Sequence, residues 1–286
     1  MYPAYIAPHT LQELLAVLNQ KRGLAKIISG GTDLIPQMRI GKLSPLILVD
    51  PIHLPQSGIT ESDGFISLDA RITHAQVISS RIIQRGFPAL VAACQQVGAP
   101  PIRNRGTLAG NLANASPAAD SALPLLVYDA RVVASSLSGE RILPLVEFYT
   151  GPGQTRLVED EFIREIQIPN MTSGTRAIFI KLGLRQAMAI AIASVAVRLS
   201  FDKSGKITEA RIALGSVAPT PLRAFQAEAI LQSAPLSTDT IQFAAQVARQ
   251  AAAPISDVRA SAGYRSQMVA VLVKRALGMI YQDLII

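Results

Sequence analysis

The first part of the chain combines helix and strand periodicities over short distances. Apolar residues recur at helical spacing over 10–20, and Thr10 with a glutamate three residues later is the pattern of a capping box. Apolar runs at 26–29 and 46–50 predict strands on either side of a turn and a short helix. Residues 1–55 are therefore predicted to form a small α/β unit.

The next segment, 56–172, alternates strand and helix patterns around a stretch of small residues. A strand is predicted at 65–68 and a helix at 89–97. Positions 106–119 hold mostly glycine, alanine and short polar residues, which predicts a long loop. Short strands are expected after this loop.

The last segment, 173–286, begins with strands and ends with helices. Two apolar or alternating runs, Ala191–Phe201 and Ile207–Leu214, are joined by the turn sequence Asp202-Lys203-Ser204-Gly205. Helical patterns follow at 224–232, 238–252 and 261–277. Strands followed by helices indicate an α+β domain.

The composition is that of a globular protein with a sizeable core. Of the 286 residues, 49% are hydrophobic and 16% are charged. The amino terminus lacks a charged segment followed by an apolar run and a cleavage site, which predicts a cytoplasmic location. The most apolar run, Gln186 to Val197, is about a dozen residues long, whereas a bilayer span needs roughly 20. We therefore expect no membrane span.

Cysteine and histidine usage argues against a metal site. One cysteine, Cys94, excludes an intramolecular disulfide and supplies too few thiolates for an iron–sulfur cluster or a zinc site. It lies in a helical apolar pattern and is interpreted as a small core residue. His9, His53 and His74 have no carboxylate or second histidine at ligand spacing. We predict no metal site and no catalytic residue in this chain, so any redox metal must lie on another chain.

The net charge of +7 raises the question of nucleic-acid binding. The basic residues are scattered, aromatic residues make up only 5%, and tryptophan is absent, so a platform for stacking bases is poorly supplied. We predict no nucleic-acid partner. A diffuse positive field suits an anionic dinucleotide cofactor or an acidic partner subunit.

A strand that runs into paired glycines is the first stretch with a chemical implication. In Lys26-Ile27-Ile28-Ser29-Gly30-Gly31-Thr32-Asp33-Leu34 the glycines precede a helix start. Backbone N–H groups exposed together, without Cβ atoms to hinder approach, form a cradle for a phosphate or pyrophosphate, and Thr32 can add a hydroxyl donor. The glycine spacing matches neither the Rossmann fingerprint nor the P-loop. An ordinary tight turn is the alternative interpretation.

A second stretch, 103–120, interleaves small and polar residues. Hydrogen-bonding side chains at Thr107, Asn111, Asn114 and Ser116 stand among glycines and alanines, so the backbone can press against a large ligand. Asp120 at its end can accept a hydrogen bond from a ribose hydroxyl. The alternative role for Asp120 is an N-cap for an apolar helix at 122–126.

Together, the stretches 28–34 and 107–111 resemble the two flavin loops of the xanthine dehydrogenase and carbon monoxide dehydrogenase family. The similarity extends through 100–104, 118–122, 148–153 and 181–189, and so covers nearly the whole chain. Separate medium subunits of this family have about this length and carry the flavin alone. The chain is most similar to the FAD subunit of bacterial three-subunit xanthine dehydrogenases.

The resemblance implies an α+β fold with FAD bound between the first two segments. A two-part FAD-binding domain of the PCMH type, similar to vanillyl-alcohol oxidase, would precede an α+β carboxyl-terminal domain. The pyrophosphate would lie on 29–34, Asp120 would bind the adenosine ribose, and Lys181 would favour the anionic reduced flavin electrostatically. A solvated charge at a strand end is the alternative for Lys181. The implied FAD-binding set is Ile27, Ile28, Ser29, Gly30, Gly31, Thr32, Asp33, Leu34, Val97, Gly98, Thr107, Gly110, Asn111, Asn114, Ser116, Asp120, Leu157 and Lys181.

The resemblance also implies partners. A large subunit would oxidise an aromatic heterocycle or aldehyde at a molybdenum-pterin cofactor, and a small subunit would relay electrons through 2Fe–2S clusters to this FAD, in a dimer of heterotrimers. NAD or another acceptor would then take the electrons. Many relatives carry aspartate where this chain has Ala189, near the flavin face where the acceptor docks. The choice between NAD, oxygen and a quinone therefore stays open.

Two other functions remain as alternatives. A free-standing FAD-dependent oxidoreductase would act directly on a small substrate and would need its own acid or base near the flavin, for which the sequence offers no persuasive residue. A non-catalytic interaction protein would have lost the cofactor. Absorbance in the flavin region after purification separates the second alternative from the others.

Overall fold

The computed structural model describes residues 3–62 and 64–285, which build three larger sheets, a two-stranded sheet and the helices packed against them. In chain order, the strands are β1 (Ala4–Ile6), β2 (Ala25–Ile27), β3 (Ile47–Val49), β4 (Ile59–Ser62), β5 (Phe65–Asp69), β6 (Arg131–Ser136), β7 (Gly139–Pro144), β8 (Tyr149–Gly151), β9 (Gln154–Thr155), β10 (Phe162–Pro169), β11 (Thr175–Gly183), β12 (Ala191–Phe201), β13 (Ile207–Gly215) and β14 (Leu222–Arg223). The helices are α1 (Leu11–Gln20), α2 (Leu34–Arg39), α3 (His74–Ser79), α4 (Arg81–Gly86), α5 (Pro88–Gln95), α6 (Pro100–Arg105), α7 (Leu108–Ala113), α8 (Ala122–Val127), α9 (Leu145–Phe148), α10 (Phe225–Ser233), α11 (Thr238–Gln250) and α12 (Ala262–Ile285).

The amino-terminal sheet is small and parallel, with the order β1-β3-β2. Helix α1 buries its leucines at 14, 15 and 18, as its periodicity predicted. Thr10 caps this helix by accepting the N–H of Glu13, but the Glu13 carboxylate accepts the N–H of His9. The predicted capping box is thus shifted outward by one residue, because the carboxylate reaches past the N-cap.

The second sheet is antiparallel, with the order β4-β5-β10-β6-β7, and α3 to α8 lie in the connection between β5 and β6. The prediction of a continuous loop at 106–119 is wrong, because α7 occupies its middle. Thr107 accepts the N–H of Gly110 and so caps the helix, while Leu108 and Leu112, four residues apart, are both fully buried. Capping and burial of one helical face outweigh the flexibility of the small residues.

The carboxyl-terminal sheet is antiparallel, with the order β11-β12-β13-β14, and it is covered on both faces. The predicted hairpin of β12 and β13 and the helices after it are confirmed. Val195 and Val197 point to the core shared with α10 to α12, while Ala196 between them joins the core formed mainly by residues 14–168. Burial on both faces explains why β12 is almost continuously apolar.

Within 3–62 and 64–285, no helix has both the length and the apolar character needed to cross a bilayer.

A carboxylate at the end of α8 ties the second sheet to the third. Asp129 accepts hydrogen bonds from Arg198, Arg211 and Arg223 at 3.0, 3.0 and 2.9 Å. Arg198 and Arg223 have only 5% of their side chains exposed. Asp129 also has a left-handed backbone, with φ of +53°. Two buried cations from two strands therefore share this carboxylate, in addition to Glu209 for Arg198 and Glu228 for Arg223.

Replacing this carboxylate by a neutral amide tests the link. Asn tolerates a left-handed backbone, so Asp129→Asn removes the charge without adding backbone strain. We expect the free energy of unfolding to fall by about 2 kcal/mol, less than for a fully buried pair because Asp129 is partly open to water. Urea unfolding measures this loss, and Asp202→Asn in the exposed turn after β12 serves as control. Equal midpoints for the two variants would contradict the assignment.

Candidate functional site

The two glycine-bearing stretches meet in space, although they lie far apart in the chain. A Cβ placed on Gly30 would lie 2.2 Å from the carbonyl oxygen of Arg105 and 2.9 Å from Cα of Gly106. A Cβ on Gly106 would in turn lie 3.3 Å from Oγ1 of Thr32. The first loop, residues 26–34, therefore packs backbone against backbone on the second loop, residues 103–120. Glycine at position 30 permits this approach.

The first loop presents a row of amides that are not used in the fold. Among the described residues, no backbone N–H from Ser29 to Leu34 donates a hydrogen bond, whereas Ile28 donates to Val49 and Ile35 donates to Gly31. Gly31 takes a left-handed φ of +69°, which turns the chain between β2 and α2. Successive free N–H groups in such a turn form an anion-binding concavity. The set fits a diphosphate.

Backbone hydrogen bonds attach the second loop to the segment between β5 and α3. Thr107 forms an isolated antiparallel bridge with Thr73, in which His74 donates to the carbonyl of Gly106 at 3.0 Å and Leu108 donates to that of Ile72 at 2.8 Å. These bonds fix the start of α7 against the connection between β5 and α3. The N–H of Gly110 donates to the hydroxyl oxygen of Thr107, so the hydroxyl proton of Thr107 remains free to donate.

The polar side chains of the second loop are partly engaged and half-buried. Asn111 accepts the hydroxyl proton of Ser121 at 2.7 Å, and this leaves its amide NH₂ group as a donor. Asn114 accepts from Gln37 of α2 at 3.5 Å, a second link between the two loops. Ser116 accepts the N–H of Ala118 at 3.2 Å.

A buried ion pair closes one end of this region. Nζ of Lys181 lies 2.5 Å from Oδ2 of Asp120 and donates to the carbonyl of Gln96 at 3.1 Å. The two side chains are 6% and 7% exposed. Both alternatives from the sequence are therefore wrong. Lys181 is not a solvated strand-end charge, and Asp120 does not cap α8, whose N-cap residue is Ser121.

Asp120 keeps unused acceptor capacity. Its Oδ1 is buried and has no hydrogen-bond partner among the described residues. Burial raises the pKa of Asp120 to about 6, and the positive charge of Lys181 opposes that rise. An orphaned carboxylate oxygen beside an amide-rich loop fits a ligand that brings hydroxyl donors.

The remaining predicted residues are tied less closely to this centre. The carbonyl of Val97 accepts from Arg103, and Gly98 has a left-handed φ of +49° and packs on Ile102. Leu157 packs on the core, and its N–H donates to the hydroxyl of Thr155 at 3.2 Å. Ile27 is the last residue of β2. The side chain of Asp33 is exposed, so Asp33 contributes its backbone amide to the row of unused N–H groups.

Sequence reasoning missed some members of the site. The carbonyl of Gln96 and the side chain of Gln37 make contacts that no local pattern indicates, because their partners lie far along the chain. Gly106 could be found from the sequence, because it begins the stretch of small residues that follows Arg105. The loop at 184–190 exposes Leu184 and Met188, and Ala189 lies against Gly183.

The described part of the chain contains no cluster of side chains suited to bind a metal ion. No group of three His, Cys, Asp or Glu side chains is placed to hold an ion there. Cys94 is fully buried 3.4 Å from Nδ1 of His74, and burial raises the pKa of its thiol and lowers that of His74 to about 4. These are properties of core residues, as interpreted from the sequence. His9 and His53, which are isolated in the sequence, stack with ring centroids 4.7 Å apart.

Comparison with known proteins defines the class. A family described as "FAD binding domain in molybdopterin dehydrogenase" matches residues 2–171, and "CO dehydrogenase flavoprotein C-terminal domain" matches 179–280. The xanthine dehydrogenase FAD-binding subunit of Escherichia coli is 35% identical, over 88% of this chain and 87% of that one. The carbon monoxide dehydrogenase medium chain of Hydrogenophaga pseudoflava is 34% identical, over 96% and 95%. A solved structure of carbon monoxide dehydrogenase from Hydrogenophaga pseudoflava matches with a TM-score of 0.94 and 33% identity, over 99% of this chain and 98% of that one.

The chain therefore belongs to the FAD subunits of the molybdenum hydroxylase family, the xanthine and carbon monoxide dehydrogenase type. The α+β fold with an FAD-binding part and a carboxyl-terminal domain, expected from the resemblance, is confirmed.

The contact between the loops can be tested with one methyl group. In Gly30→Ala the Cβ meets backbone atoms that cannot turn away, so the two loops must separate. We expect stability to fall by about 1–3 kcal/mol and the purified chain to lose its flavin absorbance. Gly86→Ala, whose Cβ would meet nothing within 4 Å, is the control. A Gly30→Ala variant with full flavin content would show that close packing of the loops is not required.

Proposed function

We propose that this chain binds one FAD across its two glycine-bearing loops and collects electrons for transfer to an outside acceptor. The row of unused amides from Ser29 to Leu34, packed against the second loop, is the observation that carries the proposal. Backbone N–H groups are the donors that proteins use for a diphosphate, and the Rossmann and P-loop patterns are absent from this chain.

The proposed cofactor contacts follow the loops. The diphosphate would lie on the amides of 29–34, with Ile27 and Ile28 leading into them. Thr107, Gly110, Asn111, Asn114 and Ser116 would line the diphosphate, ribityl and ring region, and Val97, Gly98 and Leu157 would add contacts. The free donor groups of Thr107 and Asn111 support this arrangement, because a diphosphate and a ribityl chain offer many acceptors.

Asp120 and Lys181 would set the electrostatics of the site. Bound FAD supplies the redox chemistry. Asp120 would accept a ribose hydroxyl on Oδ1, which has no other described partner, while Lys181 keeps Oδ2 neutralised. The buried positive charge of Lys181 would favour negative charge on a reduced cofactor nearby, since Coulomb interactions strengthen where water is excluded.

The chain would work within a larger assembly. We infer a large subunit with a molybdenum-pterin cofactor and a small subunit with 2Fe–2S clusters that delivers electrons, in a cytoplasmic dimer of heterotrimers. NAD or another acceptor would take the electrons. The names "FAD-binding subunit" and "medium chain" of the relatives, and a chain with one cysteine, support this division of labour. The proposed units are 1–55 and 56–172 for FAD binding and 173–286 for the carboxyl-terminal domain.

Charge reversal at the cradle tests the diphosphate site. Gly31→Glu places a carboxylate where the phosphates would lie, so FAD retention should be lost while the chain stays folded. Because Gly31 has a positive φ, the control is Gly41→Glu, at a glycine with φ of +72° and nothing within 4 Å. The ratio of flavin to protein absorbance after gel filtration measures retention. Full retention in Gly31→Glu would contradict the assignment of the first loop.

The pH dependence of FAD binding tests the role of Asp120. Its raised pKa of about 6 means that the carboxyl gains its charge only as pH rises through that value. A charged acceptor binds a hydroxyl more strongly than a neutral one, so FAD affinity should increase about tenfold between about pH 5 and 7. Asp120→Asn should flatten this profile. Flavin fluorescence measures the affinity at each pH. If FAD affinity changes with pH as steeply in Asp120→Asn as in the wild type, Asp120 does not belong to the site.

Turnover separates the subunit from a free-standing oxidoreductase. No organic donor should reduce the FAD of the purified chain alone, because Asp120 is assigned to the ribose and no other acid or base for such chemistry is identified near the loops among the described residues. The native assembly should contain iron and molybdenum and should reduce the FAD when a heterocycle or aldehyde is supplied. Steady turnover of an organic donor by the isolated chain would favour the alternative function.

A further inference from the structure

The second loop is held from outside by two backbone hydrogen bonds. Gly153 of the β8–β9 hairpin donates to the carbonyl of Ala115 at 2.9 Å. Ser216, just after β13, donates to the carbonyl of Pro117 at 2.8 Å. The second bond comes from the carboxyl-terminal sheet, and its acceptor lies between Ser116 and Asp120. The conformation of this loop therefore depends on where the Ser216 peptide points.

Ser216 has an unfavourable backbone conformation. Its φ is +62°, in the left-handed region where residues other than glycine are uncommon and pay a conformational cost. Such a residue persists only when the surroundings hold it on more than one side. Its N–H is held by Pro117, and its carbonyl is held by a buried arginine.

That arginine is Arg265, near the start of α12. Its Nη1 donates to the carbonyl of Ser216 at 3.0 Å and to that of Ile192 at 2.8 Å. Its Nη2 donates to Asp257 at 2.6 Å, and Asp257 is itself fixed by the N–H of Arg259 at 2.8 Å. A chain of direct contacts thus runs from Asp257 through Arg265 and Ser216 to Pro117.

Burying Arg265 is costly. The residue is 3% exposed, and its Nε has no partner among the described residues. Asp257, its partner, is 24% exposed, so the ion pair compensates only part of the cost of removing the Arg265 charge from water. The planar guanidinium, however, reaches two carbonyls and a carboxylate at fixed angles, which an apolar side chain cannot do. Arg265 is therefore suited to orienting the Ser216 peptide.

We propose that Arg265 is a positioning residue for the FAD site. By fixing the carbonyl of Ser216 it keeps the N–H of that residue on Pro117 and so holds 114–120 in the conformation that places Asn114, Ser116 and Asp120 beside the cofactor. Arg265 itself does not touch FAD. The inference rests on the proposed FAD-binding function.

The test compares two buried arginines in the full-length chain. Arg265→Met keeps bulk and burial but removes every donor. Arg198→Met does the same at the Asp129 cluster, formed by Asp129 with Arg198, Arg211 and Arg223, which has no described hydrogen bond to 114–120. Losing a charged hydrogen bond that orients a binding loop should raise the dissociation constant for FAD about tenfold in Arg265→Met. Arg198→Met should lower the unfolding midpoint without weakening FAD binding.

A second readout does not depend on the cofactor. Hydrogen–deuterium exchange of peptides covering 114–121 should be faster in Arg265→Met without FAD, and unchanged in Arg198→Met. Asp257→Ala, in a partly exposed turn, should produce the same two effects more weakly. If Arg265→Met does not fold, Asp257→Ala decides the question by the same measurements.

The outcomes separate this inference from the proposed function. Failure of the wild-type chain to bind FAD would overturn the proposed function and the inference together. Normal FAD binding by wild type, with unchanged affinity and exchange in Arg265→Met, would overturn the inference alone. Equal weakening by Arg198→Met would also overturn it, because the effect would then be general destabilisation.

Discussion

The approach of Gly30 to the backbone of Arg105 and Gly106 is the contact on which the rest of the site depends. No side chain fits between these atoms, so the two loops share one surface only if position 30 is glycine. The amides of 29–34 then stay unpaired beside the second loop instead of bonding within the chain. Amides without a partner in the chain are available as donors to a ligand that accepts hydrogen bonds.

The carboxyl-terminal sheet completes the site from the other side. It contributes Lys181 to neutralise Asp120, and it supports the second loop through Ser216. Independently of the site, the Asp129 cluster joins that sheet to the turn after α8. The candidate site is therefore supported by the carboxyl-terminal sheet as well as by the contact between the two loops.

The sequence predicted several of the longer elements, because these depend on local patterns. The hairpin of β12 and β13 and the strand, glycine pair and helix around Gly30 follow from residues close in the chain. Helix α7 was missed because its cap, Thr107, and its buried leucines are diluted by glycine and alanine. The pairing of Asp120 with Lys181 and the support from Ser216 could not be predicted, since each joins residues brought together only by packing of the sheets.

Amide exchange at single-residue resolution is the most direct measurement of the central claim. The chain is compared with and without bound FAD, and protection is read at each amide of the two loops. The account predicts strong slowing from Ser29 to Leu34, where the amides have no partner in the chain alone, and little change in β12, which is already fully bonded. Stoichiometric FAD binding that leaves the amides of 29–34 exchanging as before would contradict it.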